Sequence, residues 1–348
     1  MIKAKSYAAL EAKAPLVPYS FERRDPKDHD VVIDIRYSGI CHSDIHMARE
    51  EWGKGRFPLV PGHEIAGVVR SVGPKVTKHK VGDHVGVGCM VDSCRSCSHC
   101  ERDLEQYCLE GNTLTYGGME RDGSAVTQGG YSDVIVVNEH FVLKIPKSIP
   151  LEKAAPLLCA GITLYSPLVH WKAGPGKKVA IMGMGGLGHI GVKIAAALGA
   201  EVTVLSQSNK KRDDAMKMGA QHFIATSDAN AFTDNALKFD LIINTVSASD
   251  LDMGAYFSLL KLDGALVSVG APEKPLSIHP FPLLLMRRTF AGSAIGGIKE
   301  TQEMLDFCAK KEIFPEIELI APAQVNEAYE RVLKSDVRYR FVLDIAKL

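Results

Sequence analysis

Two patterns of apolar positions divide the chain. In the first part, short runs alternate apolar and polar residues and are rich in β-branched side chains. Residues 31–37 (VVIDIRY), 65–73 (IAGVVRSVG) and 131–138 (YSDVIVVN) are of this kind, set between Gly- and Pro-bearing turns. They predict strands of an irregular β-rich domain. After about residue 155 the texture changes. Short, almost wholly apolar runs at 179–183, 201–205, 239–246 and 264–270 alternate with helical patterns, one running to Leu198 and one covering 209–219 and closed by Gly219. Such alternation predicts an α/β unit with a doubly wound parallel sheet. Residues 288–293 read as a last strand, and the tail as two helices near 301–311 and 323–334 followed by a strand at 338–344. The stretch 89–130 has little periodicity and is too long for an unsupported loop, so something must organise it.

Composition narrows the partners. A chain of 348 residues suits two domains, and 46% hydrophobic with 24% charged residues is globular in character. Lys+Arg and Asp+Glu each number 41, so no broad basic field exists to attract nucleic acid or an anionic membrane. No window reaches the roughly 18 apolar residues of a membrane span. The N-terminal MIKAKSYAAL lacks the apolar core of a signal peptide. The expected compartment is the cytoplasm, where thiols stay reduced. The eight cysteines are then candidates for metal ligands or core residues before disulfides.

Gly183-Met184-Gly185-Gly186-Leu187-Gly188 matches G-x-G-x-x-G, directly after an apolar strand and at the opening of a helix. In that setting the first glycine permits a tight turn, the second lets backbone N–H groups approach a pyrophosphate, and the third lets helix and strand pack closely. The next strand bears on which dinucleotide binds. A carboxylate at its tip would bond a free ribose 2′-OH. Here the tip reads Ser206-Gln207-Ser208-Asn209-Lys210-Lys211-Arg212, and the first carboxylates are Asp213 and Asp214. Hydroxyls and cations suit a 2′-phosphate, so NADP(H) is expected, with Ser206, Ser208 and Lys211 as contacts.

Cys94, Cys97, Cys100 and Cys108 form C-x2-C-x2-C-x7-C. Four thiolates so spaced can enclose one tetrahedral zinc, leaving no position for substrate, so this site would be structural. Metal binding would also supply the order that the 89–110 segment lacks. Cys89 and Cys308 fit no spacing, and packing roles are their default. Three further pieces stand apart: Gly39 to His46, Pro61 to Gly67 and Leu158 to Thr163. Together they can supply Cys, His and Cys to one zinc with a fourth position open, the arrangement of a catalytic site.

The run G-H-E-x2-G-x5-G-x2-V over residues 62–76, the four-cysteine lobe and the following G-x-G-G-x-G resemble the zinc-dependent medium-chain alcohol dehydrogenases over essentially the whole chain. Within that family the stretches at 39–44, 157–163, 206–211 and 338–342 are most similar to cinnamyl alcohol dehydrogenases and microbial aldehyde reductases. The resemblance implies a GroES-like, zinc-binding catalytic domain from residues 1–159 and 297–348 and a Rossmann dinucleotide-binding domain from 160–296. It implies two zinc ions per chain, NADP(H), and interconversion of primary aryl or medium aliphatic alcohols and aldehydes by hydride transfer. Cys41, His63 and Cys159 would hold the catalytic zinc, with Glu64 a transient fourth ligand or a nearby charge. Asp44 would fix the tautomer of His63. Ser43 would touch the substrate oxygen, and His46 would pass its proton to solvent by way of the nicotinamide ribose. Thr163 would help seat the cofactor. Arg340 would reach the pyrophosphate or stand as a surface arginine. Trp52 would line the substrate pocket or simply pack. Residues 116–123 occupy the stretch that shapes an aromatic pocket in the plant enzymes, from which they differ. Relatives of this kind are usually homodimers joined through the nucleotide-domain sheets. An NAD-linked polyol dehydrogenase of the same fold would want an acid near Ser206, and a non-catalytic relative would be expected to lose Ser43, His46 or a ligand.

Overall fold

The alternating run at 31–37 lies inside a ten-residue strand, Asp30–Gly39, around which the first unit is built. Along one edge it pairs antiparallel with Ile65–Val72. The other edge is shared: Val134–Asn138 takes Asp30 to Asp34, and Arg340–Asp344 takes Tyr37 to Gly39. His84–Val87, Leu143–Lys144 and Ile317–Ile320 complete a seven-stranded sheet. Its side chains Val31, Ile33, Ile65 and Val85 are fully buried, each contributing roughly 1.5–3 kcal/mol by leaving water. A hairpin of Ile2–Ala8 and Val17–Arg23 precedes them. Its last residue, Arg23, is buried and holds the 128–134 stretch. Nε donates to the Val134 carbonyl at 2.7 Å, Nη1 to that of Gln128 at 2.7 Å, and Nη2 to Gly129 O at 3.0 Å and Ser132 Oγ at 2.9 Å.

This computed structural model describes all 348 residues, which fall into two compact units, residues 1–162 with 296–348 and residues 163–295. The second unit holds a six-stranded sheet in which every pairing is parallel. Its strands are Lys178–Met182, Glu201–Ser206, His222–Ala225, Phe239–Asn244, Leu260–Ser268 and Thr289–Gly292. Counted in chain order they lie 3-2-1-4-5-6 across the sheet, the doubly wound order of a dinucleotide fold. The first strand ends in Gly183, at φ +92°, a left-handed conformation open to glycine. The helix Gly188–Ala197 follows. A Cβ on Gly188 would run into the Gly183 carbonyl, so strand and helix approach as closely as they do only because that position is bare.

Phe257, Phe239, Leu260 and Leu266 are fully buried in this unit, and the Phe257 ring meets Phe290 edge-on at 5.8 Å. Phe257→Ala is expected to destabilise the protein by about 3–5 kcal/mol. Denaturant unfolding checks this, and a loss below about 1 kcal/mol would show that the cluster tolerates the cavity.

Candidate active site and metal centres

Strand register brings the first metal candidates together. Ser38 pairs with Ile65, and Gly39 N donates to Glu64 O at 2.9 Å. Cys41, just past the end of one strand, therefore faces His63, just before the start of its neighbour. Ile40 N donates to Phe341 O at 2.9 Å, which brings Arg340 to the same end of the sheet. Cys159 comes from a π-helical turn, Leu157–Gly161, between the helices Leu151–Pro156 and Ile162–His170. Such turns recur at functional sites because they re-aim side chains. The ligand atoms of Cys41, His63, Glu64 and Cys159, all buried, lie within 4.8 Å of one another.

This donor set fits zinc. A tetrahedron with Zn–S of about 2.3 Å has sulfurs about 3.8 Å apart; Cys41 Sγ and Cys159 Sγ stand at 4.0 Å. The hydrogen bond with the Cys159 thiol holds Cys41 well below the ordinary cysteine value. Burial opposes that shift, while Arg340 and His63 reinforce it. Cys159 is pushed well up by its bonds with the Cys41 and Cys89 thiols and by burial.

The short helix His42–Ala48 starts directly after Cys41 and carries Asp44, which is fully buried. Its Oδ2 accepts Cys41 N at 2.8 Å and the Tyr131 hydroxyl at 3.2 Å, and its Oδ1 meets Gly62 N and His63 Nδ1, both at 3.1 Å. Burial works against a charge on His63, but Asp44, with Cys89 and Cys41 adding to it, holds its pKa well above the ordinary value. With Nδ1 engaged, Nε2 is the nitrogen left to bind metal.

Ser43 is half-buried, with Oγ 3.7 Å from Cys41 Sγ. His46 is buried; Glu51 Oε2 engages its Nδ1 at 2.5 Å, and Trp52, 44% exposed, stacks on its ring at 4.7 Å. Tyr116 stacks on His63 at 5.9 Å. Glu64 and Arg340 form a buried ion pair through Oε1 and Nη2, while Glu64 Oε2 and Arg340 Nε have no partner. Arg340 is thus not a surface residue. A side chain at Gly39 would collide with the Glu64 carboxylate. Cys89 borders the site, its thiol 3.9 Å from Leu158 O, and Cys308 is buried elsewhere in the core. Glu51 and Tyr131 carried no signal in the sequence, since neither falls in a motif.

The four remaining cysteines form a second set. Cys94, Cys97, Cys100 and Cys108 lie with their sulfurs within 4.8 Å of one another, Cys94 and Cys100 at 3.8 Å, the tetrahedral edge again. Backbone N–H groups point at the sulfurs: Cys97 N to Cys94 Sγ at 3.3 Å, Cys94 N to Cys108 Sγ and Leu109 N to Cys97 Sγ at 3.4 Å. The amides of Leu109 and Cys100 bring the Cys97 thiol down to about 6, whereas burial pushes Cys100 up to about 12. The lobe has a two-strand pairing of Met90–Asp92 with Thr113–Leu114 and two 3-10 turns, and the buried Glu105 ties it to His140 Nε2 at 2.9 Å and to Ile298 N at 3.1 Å.

In the second unit, Gly183, Gly185, Gly186, Leu187 and Gly188 form the link between the first strand and its helix. Ser206 ends the second strand, and Ser208 precedes the 3-10 turn Asn209–Lys211. Lys211 Nζ donates to Met184 O at 2.9 Å, which sets its ammonium against the glycine turn. Thr163 is buried on the helix Ile162–His170.

A doubly wound dinucleotide sheet, together with a β-rich unit carrying one four-thiol set and one Cys–His–Cys set, is the architecture of a metal-dependent dehydrogenase. Residues 27–147 match the alcohol dehydrogenase GroES-like domain, and residues 186–310 match the zinc-binding dehydrogenase domain. The chain is 61% identical over its whole length to NADP-dependent alcohol dehydrogenase C 1 of Mycolicibacterium smegmatis, covering 99% of that protein. Its fold superposes on a cinnamyl alcohol dehydrogenase from Sorghum bicolor with a TM-score of 0.96 at 45% identity, covering 99% of this chain and 98% of that one. The corresponding Helicobacter pylori enzyme, solved with NADP(H), gives 0.93 at 42% identity over 99% of both chains. The chain belongs to the zinc-dependent medium-chain alcohol dehydrogenases.

Removing one member of a buried ion pair strands the other. Arg340→Ala is expected to cost about 3–5 kcal/mol, read as a lower midpoint of denaturant unfolding, and Glu64→Gln in the same chain to recover part of it. A double variant less stable than Arg340→Ala alone would contradict the pairing.

Proposed function

We propose that this protein interconverts primary aryl or medium aliphatic alcohols and aldehydes with NADP(H), chiefly as an aldehyde reductase, and that it works as a cytoplasmic homodimer. The observation that carries this reading is the convergence of the ligand atoms of Cys41, His63, Glu64 and Cys159, all buried, within 4.8 Å of one another. These three hold the catalytic zinc, with Glu64 close by as a transient ligand or charge; Cys94, Cys97, Cys100 and Cys108 hold a structural one. When bound, the zinc supplies Lewis acidity to the substrate oxygen and the nicotinamide supplies or accepts the hydride. Ser43 Oγ, next to Cys41 Sγ, holds the substrate's hydroxyl proton. His46 takes that proton at Nε2, because Glu51 occupies its Nδ1, and releases it to solvent. Asp44 keeps His63 in the tautomer that offers Nε2.

The cofactor assignment rests on Ser206, Ser208 and Lys211, with no carboxylate before Asp213. An NAD-linked polyol dehydrogenase would lack a partner for its ribose hydroxyls there. Arg340, engaged by Glu64, would have to share its guanidinium to reach a pyrophosphate. The rings of Trp52 and Tyr116, against His46 and His63, favour an apolar, aromatic-tolerant substrate. Dimer formation is supported by the edge strand Thr289–Gly292, preceded by the exposed apolar side chains Phe281, Leu284 and Leu285.

The protein is expected to oxidise NADPH rapidly and NADH poorly with benzaldehyde, and to stop on chelation of its zinc, as followed at the nicotinamide absorbance. Equal use of NADH would overturn the cofactor reading, and a polyol turned over faster than any aryl substrate would overturn the substrate class. Lys211→Ala should raise the KM for NADPH roughly ten- to a hundredfold, the worth of one charged hydrogen bond. Its NADH kinetics should stay unchanged; an equal rise for both cofactors would assign Lys211 a structural role.

A further inference from the structure

Asp44 is the one carboxylate that touches a candidate zinc ligand through that ligand's other nitrogen, so whatever holds Asp44 also holds His63. Two of its four donors, Cys41 N and Gly62 N, belong to the ligand-bearing segments, and His63 is a ligand itself. The fourth, the Tyr131 hydroxyl, comes from a separate stretch of chain.

That stretch is immobilised independently of the metal ligands on one side. Tyr7 N donates to Tyr131 O at 2.9 Å, and Arg23 bonds the residues flanking it at 128, 129, 132 and 134. On the other side Tyr131 N donates to Pro61 O at 3.0 Å, next to Gly62. A Cβ on Gly62 would stand 2.7 Å from the Tyr131 ring, so ring and backbone are in close register. The side chain is 1% exposed, and a buried phenol is costly unless its hydroxyl is bonded. A phenol holds its proton at neutral pH, and the Tyr131 hydroxyl donates it to Asp44 Oδ2 at 3.2 Å.

We propose that Tyr131 is a positioning residue for the catalytic metal: its hydroxyl, fixed from outside the ligand segments, holds Asp44 in the orientation that presents His63 Nε2. The inference rests on the reading of Cys41, His63 and Cys159 as zinc ligands. Tyr131→Phe keeps the ring and its packing and deletes only the donor. The four-cysteine lobe of the same chain is the internal control, since none of its residues touches Asp44 or Tyr131.

The test is zinc release from the holoenzyme into a chromogenic chelator, the phase belonging to this site being the one abolished by Cys41→Ser. Tyr131→Phe should speed that phase about tenfold, the usual scale for groups behind a metal ligand. The release from the four-cysteine lobe should match wild type. An unchanged phase in Tyr131→Phe overturns the proposal. So does parallel acceleration of both phases, because that means general loosening. Wild-type protein with no Cys41-dependent phase overturns the metal reading itself, and the proposal with it.

Discussion

A carboxylate with no solvent exposure must have its charge met by the protein. Asp44 is met by donors from Cys41, Gly62, His63 and Tyr131. Leaving such a group short of a partner costs more than the bond is worth when made. The arrangement is therefore close to all-or-none: the strand end that carries Cys41, the Pro61–Glu64 turn and the stretch around Tyr131 must all be in place at once. The same condition orients His63, because the oxygen that accepts Gly62 N also faces His63 Nδ1. A small helix of seven residues, too short to be stable alone, is anchored at its first turn by this one side chain.

A second buried charge is handled differently. Glu64 meets Arg340, and each keeps one atom without a partner. A pair left partly unsatisfied beside three candidate metal ligands contributes little net stability, but it leaves a carboxylate oxygen uncommitted next to them. That is what an intermittent ligand requires. The four-cysteine lobe solves a third problem. With one two-strand pairing and a pair of 3-10 turns, it has little regular structure of its own, and amide-to-sulfur bonds already shape the sulfur set for an ion.

Much of the fold could be read along the chain. The apolar runs at 179–183, 201–205, 239–246 and 264–270 are strands of the parallel sheet, because strands covered on both faces need no polar alternation. Ile2–Ala8 escaped notice because its inward positions are small, Ala4, Ser6 and Ala8, and give no hydrophobic contrast. The helix at His42–Ala48 was equally silent, being held by Asp44 and not by an apolar stripe. Within the site, spacing marked the lobe, and residue type together with the family resemblance marked Cys41, His63 and Cys159, since metal chemistry restricts residue types. Glu51, Tyr131 and the Glu64–Arg340 pairing were not legible. Each depends on contacts between residues that share no motif, and only the strand register of 37–39 with 342–344 reveals why Arg340 arrives where it does.

If two sulfur-rich sites each hold one zinc, elemental analysis of freshly purified protein will find two zinc ions per chain, falling to one when Cys159 is replaced by alanine in protein that remains folded. Fewer than two in the wild type with all its thiols free, or a Cys159→Ala protein that still holds two, would contradict it.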